Sequence, residues 1–175
     1  LKNQRLDDTW RQEKLLRTMT TAARTVVVGA DHGGYELKEL LLAHLGAVHN
    51  ETVEVVDVGF GAERCDYPDV ASAVGERVAA AGDAATTCGM VVCGTGIGIS
   101  IAANKVPGIR AALCHDHYTA AMARQHNDAN VLALGGRVTG AEVAKDIVDT
   151  FLATAFEGGR HATRVGKIMA LEPES

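Results

Sequence analysis

The 175-residue sequence is short of aromatic residues (4%) and of proline (3), and it has no basic excess: 17 Lys and Arg stand against 22 Asp and Glu, a formal net charge of −5. A domain built to grip a phosphate backbone would carry the opposite balance, so nucleic-acid binding is excluded as a main activity. No apolar run approaches the roughly 20 residues that a membrane-spanning helix needs. The four cysteines, Cys65, Cys88, Cys93 and Cys114, include no C-x-x-C pair, which excludes a zinc knuckle and a thioredoxin-like motif. No secretory signal is recognisable, and the thiols are expected to be reduced, in the cytoplasm. No segment repeats at a period of about 20–50 residues, which excludes a solenoid.

What is present is 47% hydrophobic and 22% charged, far from the profile of a disordered chain. A chain of this length buries about 70% of its unfolded surface and can hold a core without disulfides or metal. Residues 1–18 (LKNQRLDDTWRQEKLLRT) are rich in charge and hold the single Trp, unlike the Gly-, Ala- and Val-rich remainder. They are expected to be an extension or leader outside the fold, with 19–175 as one domain. The acids Asp7, Asp8 and Glu13 argue against a transit peptide.

From Thr25 onward two periods alternate. The β-branched run Thr25–Ala30 reads as a buried parallel strand, and Tyr35–Leu45 as a helix with Leu37, Leu40, Leu41 and Leu45 at helical spacing and a stop at Gly46. The same alternation predicts strands at Val53–Val58, Gly89–Cys93, Ile109–Cys114 and Asn130–Leu134. Helices are predicted at Asp69–Ala81, Ile97–Asn104, Asp116–Gln125 and Ala141–Phe156. Strands that each lead into a helix require right-handed crossovers, so the expectation is α/β: a three-layer αβα sandwich, with a Rossmann-like five-stranded parallel sheet and helices on both faces. Ligands of such sheets sit beyond the carboxyl ends of the strands, where strand order reverses.

The strand–helix junctions hold most of the chemistry. The first, Gly29-Ala30-Asp31-His32-Gly33-Gly34, puts Asp31 and His32 on a tight turn. Asp31 reads either as a group in the crevice or as a cap of the following helix, and His32 as a ligand contact or an exposed loop residue. The third, Cys93-Gly94-Thr95-Gly96-Ile97-Gly98, frees main-chain N–H groups to face an anion and ends its strand on a thiol. A helix N-terminus favours thiolate, so Cys93 is the candidate base or nucleophile, whereas Cys88 and Cys114 read as small buried hydrophobes. The run Arg124–Asp128 precedes the fifth strand, and His126 beside Asn127 is expected at the edge of the same crevice as an acid–base group. Gly135-Gly136-Arg137 follows that strand. In the tail, Arg160 and Arg164 lie four apart and read as a phosphate clamp or as a solvated face.

In series, VVVGADHGGYELK, CDYPD (Cys65–Asp69), CGTGIGISIAANK, GIRAALC, RQHNDANVLALGGR and EGGRHATRV resemble the B-type ribose-5-phosphate isomerases, relatives of the galactose-6-phosphate and allose-6-phosphate isomerases. The resemblance covers essentially the whole domain. It implies a cofactor-free and metal-free aldose–ketose isomerase that interconverts D-ribose 5-phosphate and D-ribulose 5-phosphate through a cis-enediolate. It implies Cys93 as general base, His126 as the acid that helps open the sugar ring, and Thr95 as a further catalytic position. Gly94, Gly96, Ile97 and Gly98 would hold the substrate and its enediolate. Asp31, His32, Tyr67 and Asn127 would contact substrate, and Arg137, Arg160 and Arg164 would bind phosphate and sugar. The resemblance also implies a homodimer or tetramer with the active site at the dimer interface.

The residue chemistry is compatible with this. Carrying a proton between two carbons needs one base and donors aimed at the oxygen that becomes charged. A relative that uses Glu on the following helix would have it near Ser100, which cannot serve as a carboxylate. Three alternatives are open. One is isomerisation of a six-carbon sugar phosphate. Another is dinucleotide binding, with Gly94-x-Gly96-x-Gly98 on the phosphates and Asp116 on a ribose, although the spacing departs from G-x-G-x-x-G. The last is a non-catalytic sugar-phosphate sensor or structural zinc protein using Cys114, His115 and His117.

Overall fold

The computed structural model describes residues 24–59 and 63–173, so the extension expected at 1–18 lies outside the described residues. The chain forms β1 (Arg24–Ala30), α1 (Tyr35–Val48), β2 (Val53–Asp57), α2 (Tyr67–Ala81), β3 (Thr87–Cys93) and α3 (Ile97–Ala103). It continues through β4 (Ala111–Leu113), α4 (His117–Asn127), β5 (Val131–Gly135), α5 (Ala141–Ala153) and α6 (Arg160–Met169). All strand pairs are parallel, in the order β2-β1-β3-β5-β4, with Val28 opposite Met90 and Cys93 opposite Gly135. This is the expected α/β sandwich. The chain reverses its direction of growth between β1 and β3, so the switch-point crevice opens beyond their carboxyl ends.

Alternation along the strands divides the core. Val26, Val28, Met90, Val92, Leu132 and Leu134 face α1, α4 and α5, which return Leu41, Leu45, Ala120, Ile147 and Phe151. Val27, Val91, Cys93, Val131 and Ala133 face α2 and α3, which return Val70, Val74, Val78, Ile99 and Ala103. Both strand faces are therefore apolar, as a sheet covered on both sides demands. Each fully buried Leu, Ile, Val or Phe contributes about 1.5–3 kcal/mol relative to exposure.

The boundaries differ from expectation for identifiable reasons. Helix α1 runs through Gly46 because that position is open, and a glycine inside a helix costs only about 1 kcal/mol. Strand β4 is shorter than Ile109–Cys114 because side chains replace ladder partners at its start. The Arg110 N–H donates to Asn130 Oδ1 at 2.8 Å. On the open edge, the Asn104 carboxamide accepts from the Ala111 N–H at 2.8 Å and donates to the Ala111 carbonyl at 2.9 Å. Helix α5 stops at Ala153 because Thr154 turns extended and its hydroxyl donates back to the Thr150 carbonyl at 2.6 Å.

Candidate active site

Three junctions meet at the carboxyl ends of β1, β3 and β5, and they meet through backbone. A Cβ at Gly34 would fall 2.5 Å from the Val92 carbonyl oxygen, and one at Gly136 would fall 2.8 Å from the Gly33 carbonyl oxygen. The β5 junction is tied to the β3 loop by the Gly136 N–H to the Cys93 carbonyl at 2.8 Å and by the Arg137 N–H to the Gly94 carbonyl at 3.0 Å. Only residues without side chains permit so close an approach.

Cys93 ends β3 with its side chain on the α2–α3 face, 4% exposed. Its Sγ accepts the Gly96 N–H at 3.1 Å. Gly96 adopts φ +77°, a left-handed conformation that folds the loop back over the sulfur before α3 begins. The Arg137 side chain lies across this loop: a Cβ at Gly94 would be 3.6 Å from its Nε and Cζ. The thiol is thus buried, in a loop whose next residue, Gly94, carries the Arg137 side chain against it. On the other side, the Tyr67 ring packs against Gly98, where a Cβ would come 2.7 Å from Cζ. Thr95 and Ile97 are exposed beside it. The Ser100 hydroxyl is committed to the Ile97 carbonyl at 2.8 Å.

Asp31 is used by its own loop, where Oδ1 accepts the Gly33 N–H at 2.8 Å and the Gly34 N–H at 3.0 Å. These bonds fix the turn that presents the exposed His32; Asp31 is not the cap of α1, whose N-cap is Gly34 with no side-chain bond. Cys65 lies beside these residues; burial pushes its thiol up against a bond from the His32 backbone, with Asp31, Asp66 and Asp69 adding to the rise. Burial likewise pushes the Cys88 and Cys114 thiols up to about 11, which keeps them protonated at neutral pH, as expected for buried hydrophobes.

The second group lies elsewhere. His126 and Asn127 end α4, and α4 runs antiparallel to the strands it joins. They therefore lie near the start of β5, at Val131, whereas Cys93 is opposite Gly135 at its finish. Four residue steps separate the two ends, about 13 Å along the sheet. The expectation that the His126 run borders the Cys93 crevice fails within one chain, because a βαβ crossover returns its helix to the amino edge of the sheet.

At that edge His126 stacks flat on His161, with centroids 4.1 Å apart and planes 2° from parallel. Glu157 Oε2 lies 3.8 Å from His126 Nε2 and 3.4 Å from His161 Nε2. The Arg160 Nε–H donates to His161 Nε2 at 3.3 Å, and Arg164 follows one turn later on α6. Desolvation, together with His126, Arg160 and Arg164, holds the His161 imidazole below the ordinary His range, with Glu157 opposing. Below the pair, Asp128 takes a left-handed φ of +45°. Its carboxylate bridges Arg124 Nη1 at 3.0 Å and Arg110 Nη2 at 3.3 Å. These groups fix where α4 ends. Sequence reasoning gave no role to Glu157, His161, Arg124 or Asp128, although the four-residue spacings Glu157–His161 and Arg124–Asp128 were available as signals.

Two rival readings lose their residues. Asp116 caps α4, accepting the Thr119 N–H at 2.7 Å, and that bond leads the causes holding its carboxyl below the usual range. Among the described residues, the three-member clusters able to hold a metal are His44–His49–Asp149 and His126–Glu157–His161, and neither contains Cys114, His115 or His117.

Known proteins share this sequence and fold over most of the chain. Ribose-5-phosphate isomerase B of Escherichia coli (strain K12) is 50% identical over 150 residues, spanning 85% of this chain and 97% of the relative. The structure of Trypanosoma brucei type B ribose 5-phosphate isomerase superimposes with a TM-score of 0.79 at 51% identity, covering 86% of this chain and 99% of that one. Ribose-5-phosphate isomerase B from Mycoplasma genitalium, solved with bound ribulose-5-phosphate, matches with a TM-score of 0.76 at 41% identity, covering 86% and 96%. The family model described as Ribose/Galactose Isomerase matches residues 26–168, and the chain belongs to that family.

Proposed function

We propose that the chain interconverts D-ribose 5-phosphate and D-ribulose 5-phosphate, with Cys93 as the base that moves the proton. The observation that carries this reading is the Cys93 sulfur accepting the Gly96 N–H inside the glycine loop, across which the Arg137 side chain lies at Gly94. As thiolate, Cys93 removes the proton from C2 of the open-chain aldose. The electron pair forms the C1–C2 double bond, and the C1 carbonyl oxygen takes up the charge. Return of the same proton to C1, with the C2 hydroxyl proton transferred to the C1 oxygen, gives the ketose. Main-chain N–H groups of the Gly94–Gly98 loop and the Thr95 hydroxyl face the charged oxygen, so the developing enediolate meets fixed donors. Asp31 shapes the turn, while His32, Tyr67 and Ile97 line the approach.

Ring opening and phosphate anchoring fall to His126, Asn127, Arg160 and Arg164. Because one chain sets His126 and Asn127 beside the amino end of β5 and Cys93 opposite its carboxyl end, about 13 Å along the sheet, the reading requires a second copy to supply them, making the working unit at least a homodimer. Anchoring the phosphate at the far end of the sugar converts remote binding into alignment at the reacting carbons. The free, buried thiols Cys88 and Cys114 support the cytoplasm as the compartment.

A coupled assay of ribose 5-phosphate against allose 6-phosphate and galactose 6-phosphate tests the substrate. Higher kcat/KM for ribose 5-phosphate is expected, and a preference for either hexose phosphate would replace it. The Cys93→Ala variant should bind substrate without turning it over; retained turnover would remove the sulfur from the mechanism.

A further inference from the structure

We propose that His44, His49 and Asp149 form a binding site for a borderline divalent cation of the zinc type, outside the isomerase machinery. His44 lies near the end of α1, His49 caps that helix, and Asp149 stands on the neighbouring α5. His44 Nε2 and His49 Nε2 each lie 2.8 Å from the same oxygen, Asp149 Oδ1. The two rings meet edge to face, with centroids 6.1 Å apart at 75°, and the three ligand atoms lie within 4.8 Å of one another. A tetrahedral zinc ion with bonds of about 2.0–2.2 Å holds its ligand atoms about 3.3 Å apart. Opening each nitrogen–oxygen gap by roughly 0.5 Å, a small rotation of the carboxylate, therefore admits the ion. The three side chains are 12%, 22% and 40% exposed, which leaves the remaining coordination position to water.

The surroundings favour a cation. The carbonyl end of α1 has no basic residue in its last turn, so its partial negative charge is uncompensated. Glu142 is close enough for His44 to lower its carboxyl, after the larger effect of Lys145. Burial works against the Asp149 charge, yet the bonds from His49 and His44 hold its carboxyl below the ordinary value, so the ligand oxygen is ionised at neutral pH. His49 is also anchored: its N–H reaches the Leu45 carbonyl at 2.8 Å, and its carbonyl accepts from Thr52 and Val53 at 2.9 and 2.8 Å. The His126–Glu157–His161 group is the poorer site, because Arg160 already donates to His161 Nε2 and two arginines stand beside it.

Zinc chloride titrated calorimetrically into the chelator-treated full chain tests the site. The expected result is uptake of zinc that weakens about tenfold or more in both His49→Gln and Asp149→Asn and persists in His161→Gln. Isomerase activity of apo His49→Gln should equal that of the apo wild type. Failure of the wild type to take up zinc at roughly 100 μM, or uptake lost in His161→Gln and kept in His49→Gln, overturns the proposal.

Discussion

An equal mixture of Cys93→Ala and His126→Ala subunits should recover activity that neither variant has alone on ring-closed ribose 5-phosphate. A general acid or base acts within about 3 Å of the proton it moves, or through one water. The 13 Å or so between the two ends of β5 therefore forbids Cys93 and His126 of one chain from serving one sugar. If each active site takes its sulfur from one protomer and its imidazole from the other, half of the dimers in a randomly assembled mixture are mixed. Each mixed dimer then holds one intact site and one doubly damaged site. The expected recovery is about a quarter of wild-type activity, from closed two-fold assembly alone. Co-expression of two differently tagged chains, followed by tandem purification of the mixed dimer, raises the expectation to about half. No recovery in that purified dimer, with both chains folded by circular dichroism, would refute the two-chain site.

Further outcomes follow from single contacts. Gly96→Ala should destabilise by about 2 kcal/mol or more, combining the cost of a side chain at left-handed φ with overpacking against Leu113, measured by chemical denaturation. Leu41→Ala, at a fully buried position against β1 and β3, should cost about 2–5 kcal/mol in the same measurement. Arg137→Ala should lower kcat/KM with little change in unfolding midpoint, because its exposed side chain lies over the Gly94 loop and carries none of the core. Because the folded Asp149 carboxyl titrates below its ordinary 3.8, the stability it contributes is present above about pH 4 and is lost as pH falls through the folded value. The unfolding midpoints of wild type and Asp149→Asn should accordingly converge on going from pH 7 to about pH 3.

The parallel sheet was readable because its strands are β-branched runs ending in glycine, and because the Leu37–Leu41–Leu45 spacing marks the buried face of α1. Cys93 and its glycine loop were legible for a related reason: three alternating glycines have no role in a helix or strand interior. His126 stands out in the sequence by type, but its place relative to Cys93 does not. Its spacing from β5 says nothing about which edge of the sheet it occupies; the antiparallel course of α4 decides that. The stacking of His126 on His161 was illegible, since it joins residues from α4 and α6 whose packing depends on tertiary fit. The shortened β4 was also out of reach, because Asn104 and Asn130 act there as substitutes for backbone.

Asn104 also closes part of the sheet edge. Its carboxamide offers Ala111 one acceptor and one donor, the pair that a sixth strand would present. The open margin of β4 is thereby occupied by the molecule itself, a device that prevents neighbouring copies from zipping their ladders together. Copies that meet at the β4 margin must then do so through side chains and helices, while β2 forms the other edge of the sheet. Asn104→Asp, which exchanges the donor for a charge, would unlatch that margin and should raise the tendency to self-associate in light scattering.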